Sequence, residues 1–440
     1  MRKGTLWAAA LLAWPACALA QQSPPSAPAP AVPAAAQGAG QQTPTTRISV
    51  DEAIRLALQH NHALQAARTT ILQNQAIETT ANLRPNPTLS WDAQFLPIFE
   101  PSKFTADYIN NQAQFDLGIG YTFELGKKRQ HRLQAARDLT SVSRSTVADN
   151  ERTLTFNVAQ QFVSVLQAQS TIDLAKQDLD SFQKTVTVSE ERFRAGDMSE
   201  GDLLKIKLQL LQFQTDLSQA LLSKVQAIAA LRQLVGFESV PDFFDVEGQL
   251  DYQPVHAGLD DLKALALRTR PDLVAAQQGV NAAKSQELLA EANGKRDLGT
   301  SFNYSHLGDT NTGAFFFNIQ LPIFDRNQGE IARTRFAVTQ SQELARESSE
   351  QVLSDVVDAY EALRTSEQIV QLYRGGYVEQ AQKSRDISEY AYKRGAASLL
   401  DFLDAERTYR TNQLAYRQAL AGYMTALEQM RAAVGTRNLP

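Results

Sequence analysis

The sequence predicts a mostly helical protein with a β-barrel portion, built from two duplicated halves. Three observations lead there: an internal repeat that aligns without gaps, a glycine- and proline-free stretch long enough for one helix of about 69 residues, and four stretches of about ten residues that alternate like strands.

The chain starts with a secretory pattern: Arg2 and Lys3, an apolar run from Leu6 to Trp14, and an A-x-A site at Ala18-Leu19-Ala20. Residues 1–20 are therefore expected to be a signal peptide. Cys17 is the one cysteine of the chain. It leaves lipidation open, although Trp14 stands where a lipoprotein signal carries an aliphatic residue. With the cut before Gln21, the mature chain has no cysteine for disulfides, thiol catalysis or thiolate metal sites. Residues 21–46 are rich in Pro, Ala, Gln and Ser and read as an extended linker.

Hydrophobic residues make up 43% of the 440-residue chain and charged residues 21%, which permits a sizeable core. No mature segment approaches a run of about 18 apolar residues, so entry into a bilayer has to be by β-strands. The net charge of −5 gives no electrostatic basis for binding nucleic acid.

The repeat defines two halves, 47–250 and 251–440. Val50-Asp51-Glu52, Leu56-Ala57-Leu58 and Leu64 match Leu259-Asp260-Asp261, Leu265-Ala266-Leu267 and Leu273. Phe193, Gly196, Ser199, Asp202 and Leu203 match Tyr392, Gly395, Ser398, Asp401 and Phe402, and the register continues to Val235-Gly236 and Val434-Gly435. Glycines, acids and helix ends falling in step argue for duplication over chance similarity between helices.

Each half combines both periodicities. Lys127 to Ala195 reads as one helix roughly 100 Å long, which has to pack along other long helices. Shorter helices are expected near Val50–Leu83 and Ser199–Val235. In the latter, Leu203, Ile206, Leu210, Phe213 and Leu217 keep a coiled-coil spacing. Gly375-Gly376 interrupts the long helix of the second half, where a kink or break is expected.

Leu89, Trp91, Ala93 and Phe95 alternate with polar residues, as do Phe115, Leu117, Ile119, Tyr121 and Phe123. The second half repeats this with Leu298, Phe302 and Tyr304, then Phe315, Phe317, Ile319, Leu321 and Ile323. The length suits transmembrane β-strands with an apolar face to lipid; a half-buried hairpin in a soluble domain is the alternative. Four strands cannot close a barrel, so the membrane reading requires several protomers.

Together these features resemble the TolC-type outer-membrane factors over essentially the whole chain after the linker. The sharpest local matches are Tyr392 to Ala405, Leu321-Pro322-Ile323-Phe324-Asp325 as a strand ending before the next helix, and Phe123-Glu124-Leu125-Gly126-Lys127-Lys128-Arg129. The last is similar to a turn of the heavy-metal-efflux, CzcC-like branch, with Lys127 in place of its second glycine. The resemblance implies a homotrimer in which long antiparallel coiled-coil helices form an α-barrel through the periplasm and twelve strands form a barrel in the outer membrane. It implies a passive exit duct for divalent heavy-metal cations, engaged by a periplasmic adaptor and an inner-membrane RND-type pump, with outer-membrane lipid around it and no cofactor. Drug efflux or protein secretion are alternatives within this class; a soluble periplasmic scaffold is the alternative outside it.

The resemblance places Asp401 and Asp404 at the constricted periplasmic entrance, where carboxylates repeated by threefold symmetry would select cations. On spacing alone they also fit a solvated helix face. It assigns Asp202 and Tyr392 to a polar lock that holds the entrance closed. Ala397 stands where the family has a lock arginine, leaving Lys205, Lys393 and Arg394 as candidate replacements. Gly196, Ser199, Gly395 and Ser398 read as tight turns between antiparallel helices, and by resemblance as the tips that dock the adaptor. Lys127, Lys128, Arg129, His131 and Arg132 form a basic cluster that fits a solvated helix start or anionic head groups. His60, His62, His131, His256 and His306 have no ligand spacing, and no motif indicates an enzyme.

Overall fold

A helix of 67 residues, α4 (Lys128–Arg194), organises the chain, with no glycine or proline to interrupt it. The computed structural model describes residues 46–439; the expected signal peptide, and the expected linker up to its last residue, lie outside the described residues. In chain order the elements are β1 (Thr46–Ile48), α1 (Val50–His60), α2 (His62–Ala81), β2 (Thr88–Gln94), α3 (Ala106–Asn111), β3 (Gln114–Phe123), α4, α5 (Glu200–Val235), β4 (Phe244–Val246), α6 (Leu259–Thr269), α7 (Pro271–Asn293), β5 (Leu298–Leu307), β6 (Thr310–Ile319), α8 (Gln328–Leu372), α9 (Val378–Lys393) and α10 (Leu399–Val434).

A plan of two short helices, two strands and a long helical hairpin occurs twice, with β1, α3 and β4 added in the first half and the long helix divided into α8 and α9 in the second, and the packing repeats with it. In the first half Ala57 of α1, Val158 of α4 and Val235 of α5 are fully buried in one core, joined by Ile48, Phe244 and Val246 of the short parallel pair β1–β4. In the second, the matching Ala266 of α6 and Val434 of α10 are fully buried against Val352 and Val356 of α8. Small residues at 57 and 266 let the short helices approach the long ones closely.

The expected single helix near Val50–Leu83 is two helices. Asn61 separates them: its Oδ1 accepts from the Leu64 backbone N–H (3.0 Å), capping α2, while its Nδ2 donates to the Leu234 carbonyl (3.0 Å) at the end of α5. The second half breaks at the corresponding place, where Pro271 begins α7. Between α8 and α9 the helix passes through a single π turn, Tyr373–Tyr377, in which Gly376 has φ 111°, so the expected interruption at Gly375-Gly376 is present. The parallel pair β1–β4 was not expected, and it takes in Thr46, the last residue of the expected linker.

Strands β2, β3, β5 and β6 form one antiparallel sheet in the order β2-β3-β5-β6. Leu89, Ile119, Phe302 and Phe315 lie opposite one another across all four strands. They belong to an apolar face that stays exposed: Leu89 and Phe315 are 75% and 74% accessible. Ser90, Gly118, Asn303 and Ala314 make the adjoining row on the other face. The last strand is shorter than expected. It ends at Ile319, and Leu321 to Asp325 lie outside it, because Pro322 has no N–H for a ladder and Leu321 closes a tight turn to the Ile323 N–H (2.9 Å). No helix among the described residues is long and apolar enough to cross a membrane.

Candidate functional site

The end of the bundle opposite the sheet is formed by two helical hairpins, α4–α5 and α9–α10. Each turns through the same backbone device. In the first, the Gly196 and Asp197 N–H groups donate to the Phe193 and Arg192 carbonyls (3.0 and 2.9 Å); in the second, the Gly395 and Ala396 N–H groups donate to the Tyr392 and Ala391 carbonyls (3.0 and 2.8 Å). Both glycines are left-handed (φ 82° and 75°), the conformation that a Cβ disfavours and this helix ending requires.

Ser199 and Ser398 then start α5 and α10. Their Oγ atoms accept from the backbone N–H of Asp202 (3.1 Å) and Asp401 (3.2 Å). Ser199 also donates its hydroxyl to Asp202 (2.9 Å), and Ser398 donates both its hydroxyl (2.7 Å) and its N–H (3.2 Å) to Asp401. These bonds hold both carboxyls below the usual aspartate range; at Asp202, Lys205 helps. Asp202 and Asp401 thus stand at matching positions of two helix caps, with Asp401 alone completing the reciprocal box, a structural role that the register of the repeat already contained. Replacing Ser398 by alanine is expected to weaken the first turn of α10 by about 1 kcal/mol, seen as several-fold faster amide exchange at residues 399–403.

Tyr392 is 7% accessible and stacks on Phe402, with ring centroids 5.4 Å apart. Phe182 and Phe213 complete this aromatic core, which ties the two hairpins together. The Tyr392 hydroxyl has no hydrogen-bond partner among the described residues: neighbouring Ser189 donates to the Thr185 carbonyl instead (2.8 Å). Burial pushes the phenol up.

Arg192, which sequence reasoning overlooked, lies over the Tyr392 ring (5.4 Å) and donates to its carbonyl (3.3 Å). Of the three candidate lock cations, only Lys205 reaches Asp202 (3.3 Å). Lys393 pairs with Glu389 (2.6 Å), and Arg394 lies over Tyr390. One cleft gathers Arg192, Ser199, Asp202, Tyr392, Gly395 and Ser398. Asp404 stands apart from it. Exposed, it lines a second cleft between α5 and α10, with Gln209, Leu403, Arg407 and Arg410.

Behind the aromatic core lies a buried charged cluster that was also overlooked. Asp178 and Glu406 are each 6% accessible, and burial pushes their carboxyls up to about 6 and about 7. Arg410 pairs with Asp216, and Arg385 approaches Glu406 at 4.0 Å. Asp178 falls four residues after Leu174 and four before Phe182, both buried, so a charge on an apolar seam was the available signal. Among the described residues no group of three or more His, Cys, Asp or Glu is placed to hold a metal ion.

Comparison with known proteins supplies the context for this geometry. Residues 53–237 and 262–436 match the family described as "Outer membrane efflux protein". The chain is 25% identical over 378 residues to the cobalt-zinc-cadmium resistance protein CzcC of Cupriavidus metallidurans, covering 84% of this chain and 85% of that one. It is 24% identical over 406 residues to the pyoverdine export outer membrane protein OpmQ of Pseudomonas aeruginosa, covering 88% and 83%. Among solved structures, one of CusC superposes with a TM-score of 0.74 at 19% identity, covering 94% of this chain and 99% of that one.

Proposed function

The chain belongs to the outer membrane efflux protein family, and on that premise we propose that three copies form a passive exit duct through the outer membrane and periplasm. The observation that carries this reading is the four-stranded sheet: β2 and β6 leave its edges open, and one face is apolar and exposed. An open edge of unpaired N–H and C=O groups cannot rest in hydrocarbon, whereas three sheets joined edge to edge give twelve strands and no edge. The long helices would continue the duct into the periplasm. The family consists of efflux channels, not enzymes. Energy would come from an inner-membrane pump reached through a periplasmic adaptor, docked on the tips at Gly196, Ser199, Gly395 and Ser398.

Divalent heavy-metal cations are the cargo we assign. The likeness to CzcC over most of both chains supports this, together with the turn from Phe123 to Arg129. Asp404 and Asp401 would line the entrance. Asp404 is the freer of the two, since Asp401 is engaged by its cap. Asp202 and Tyr392, with Arg192 beside them, would form the closing contact.

Planar-bilayer conductance of the purified protein tests the duct. Small cation-selective currents blocked by divalent ions on the helix side are expected. Asp404→Ala should weaken that block on the order of tenfold, the effect of removing three carboxylates from one ring at about 0.5 kcal/mol each. An unchanged block would place the entrance elsewhere, and a water-soluble protein with no conductance would remove the duct altogether. Metal sensitivity of a deletion strain separates metal efflux from export of drugs or proteins.

A further inference from the structure

The four connections between helices and sheet all carry cations. Arg84 precedes β2, Lys127 and Arg129 follow β3, Lys295 and Arg296 precede β5, and Arg326 follows β6. None of these six forms an ion pair among the described residues, and all but half-buried Arg129 are exposed. Their bonds go to backbone: Arg129 to the Asn82 carbonyl (3.5 Å) and Arg326 to that of Pro322 (3.3 Å). Of the three carboxylates in these connections, two are neutralised by other cations and exposed Asp325 takes only a backbone N–H. Asp297 takes Lys128 (2.8 Å), Glu124 takes Arg132 (2.8 Å), and Asp325 accepts from the Asn327 N–H (2.8 Å). The basic cluster read from sequence is therefore divided: Lys128 and Arg132 are structural, and the free charge comes from all four connections.

The opposite end of the sheet has the reverse composition. Asp92, Glu100, Asp107, Asp116 and Asp309 cluster there, and the one Lys or Arg between residues 92 and 116, Lys103, pairs with Glu100. On the helix side, apolar side chains stand directly beside the free cations. A cleft joins Arg84, Lys127 and Arg129 to Tyr121, Phe123 and Leu125, continuous with the exposed apolar face.

We propose that this collar binds anionic phospholipid, with phosphate head groups on Arg84, Lys127 and Arg129 and an acyl chain along Tyr121, Phe123 and Leu125. The proposal rests on the reading that the sheet is embedded in a bilayer. Charge complementarity selects the head group, since phosphatidylcholine carries no net charge to satisfy the unpaired cations, and the adjoining apolar strip selects a lipid over free phosphate. The collar also fixes which way the sheet sits, with the helix-side leaflet facing the cations.

A tryptophan at the collar provides the measurement, in a reporter chain that carries Trp91→Phe and Phe123→Trp. Phe123 is exposed on the apolar face beside the free cations, whereas Trp91, the one tryptophan outside the expected signal peptide, pairs with Leu117 next to Asp92 and reports the other half of the sheet. The full-length mature reporter chain is reconstituted in vesicles holding trace brominated phosphatidylglycerol or brominated phosphatidylcholine, and quenching of its one tryptophan is compared. Quenching by both, with phosphatidylglycerol enriched on the order of tenfold around the protein, is the expected result. Arg84→Gln/Lys127→Gln/Arg129→Gln should lose the enrichment and keep the quenching by phosphatidylcholine. Equal quenching by the two lipids in the reporter chain, or an enrichment that survives the triple change, overturns the collar while leaving the membrane reading intact. Absence of quenching by either lipid overturns both. Loss of the enrichment on adding inorganic phosphate would make this a phosphate site and overturn the lipid.

Discussion

Arginine in place of Phe302 is expected to prevent the protein from assembling in the outer membrane, whereas arginine in place of the adjacent Ser301 is expected to be tolerated. Phe302 is at the middle of β5, opposite Ile119 on one side and Phe315 on the other, with the Phe302 and Phe315 rings 4.9 Å apart. If this face meets lipid, an arginine at its midplane costs about 2–4 kcal/mol per copy, or roughly 6–12 kcal/mol for three copies at one level. Ser301 points to the opposite face, opposite Gly120 and Phe316, where a water-filled lumen would solvate the charge. The measurement is the fraction of each variant recovered as a heat-modifiable oligomer in outer membranes. Equal recovery of the two would mean that the apolar face is not in lipid. A rise in soluble protein with Phe302→Arg and no loss of function would favour a periplasmic scaffold.

The contrast between these neighbouring residues shows what could be read from the sequence. A strand repeats every two residues, so the apolar face of β5 was visible from Leu298, Phe302 and Tyr304 alone. The long helix α4 was visible for a similar reason, since 67 residues without glycine or proline leave few other conformations. The tips could be read because glycine and serine act locally, through backbone conformation and a cap. What could not be read depends on distant partners. Asn61 breaks a helix by bonding to Leu234, far along the chain, and its own neighbourhood gives only a weak sign of it. Short strands β1 and β4 pair across nearly the whole first half. Lys128 and Arg132 looked like free surface charge until Asp297 and Glu124 were placed beside them. At the candidate gate, the types of residue were visible but their division of labour was not: Asp401 is held by its cap, and Asp404 is exposed on another cleft.

The buried acids predict a pH dependence of the contact between the two hairpins. Glu406 of α10 faces Arg385 and Glu389 of α9, Asp178 of α4 and Arg410 of its own helix. Asp178 in turn faces Arg410 and Arg417 of α10, Arg385 of α9 and Asp216 of α5. Desolvation exceeds the attraction of the arginines, so both carboxyls are raised, to about 7 and about 6. The folded bundle therefore holds protons that the unfolded chain releases at lower pH. Stability must fall as pH rises from about 4.5 to about 7, and the full cost of ionised Glu406 is present above that range. For Glu406 this amounts to about 3 kcal/mol, taken from its raised value against 4.5 for a solvated glutamate. Glu406→Gln keeps the shape of the protonated acid. At pH 8 it is expected to slow amide exchange across residues 399–417 by up to roughly a hundredfold, and at pH 5 to change it little. Adding Asp178→Asn should remove most of the remaining pH slope. A double variant that exchanges with the same pH dependence as the unmodified chain, after correction for intrinsic exchange, would mean that these acids do not set the strength of the contact. The slope has a functional side, because the same four helices hold Tyr392, Phe402 and the turns beneath them. If that end opens by separating α9–α10 from α4–α5, protonation of Glu406 and Asp178 strengthens the closed pairing, and divalent-blocked conductance should rise as pH increases from 5 to 8.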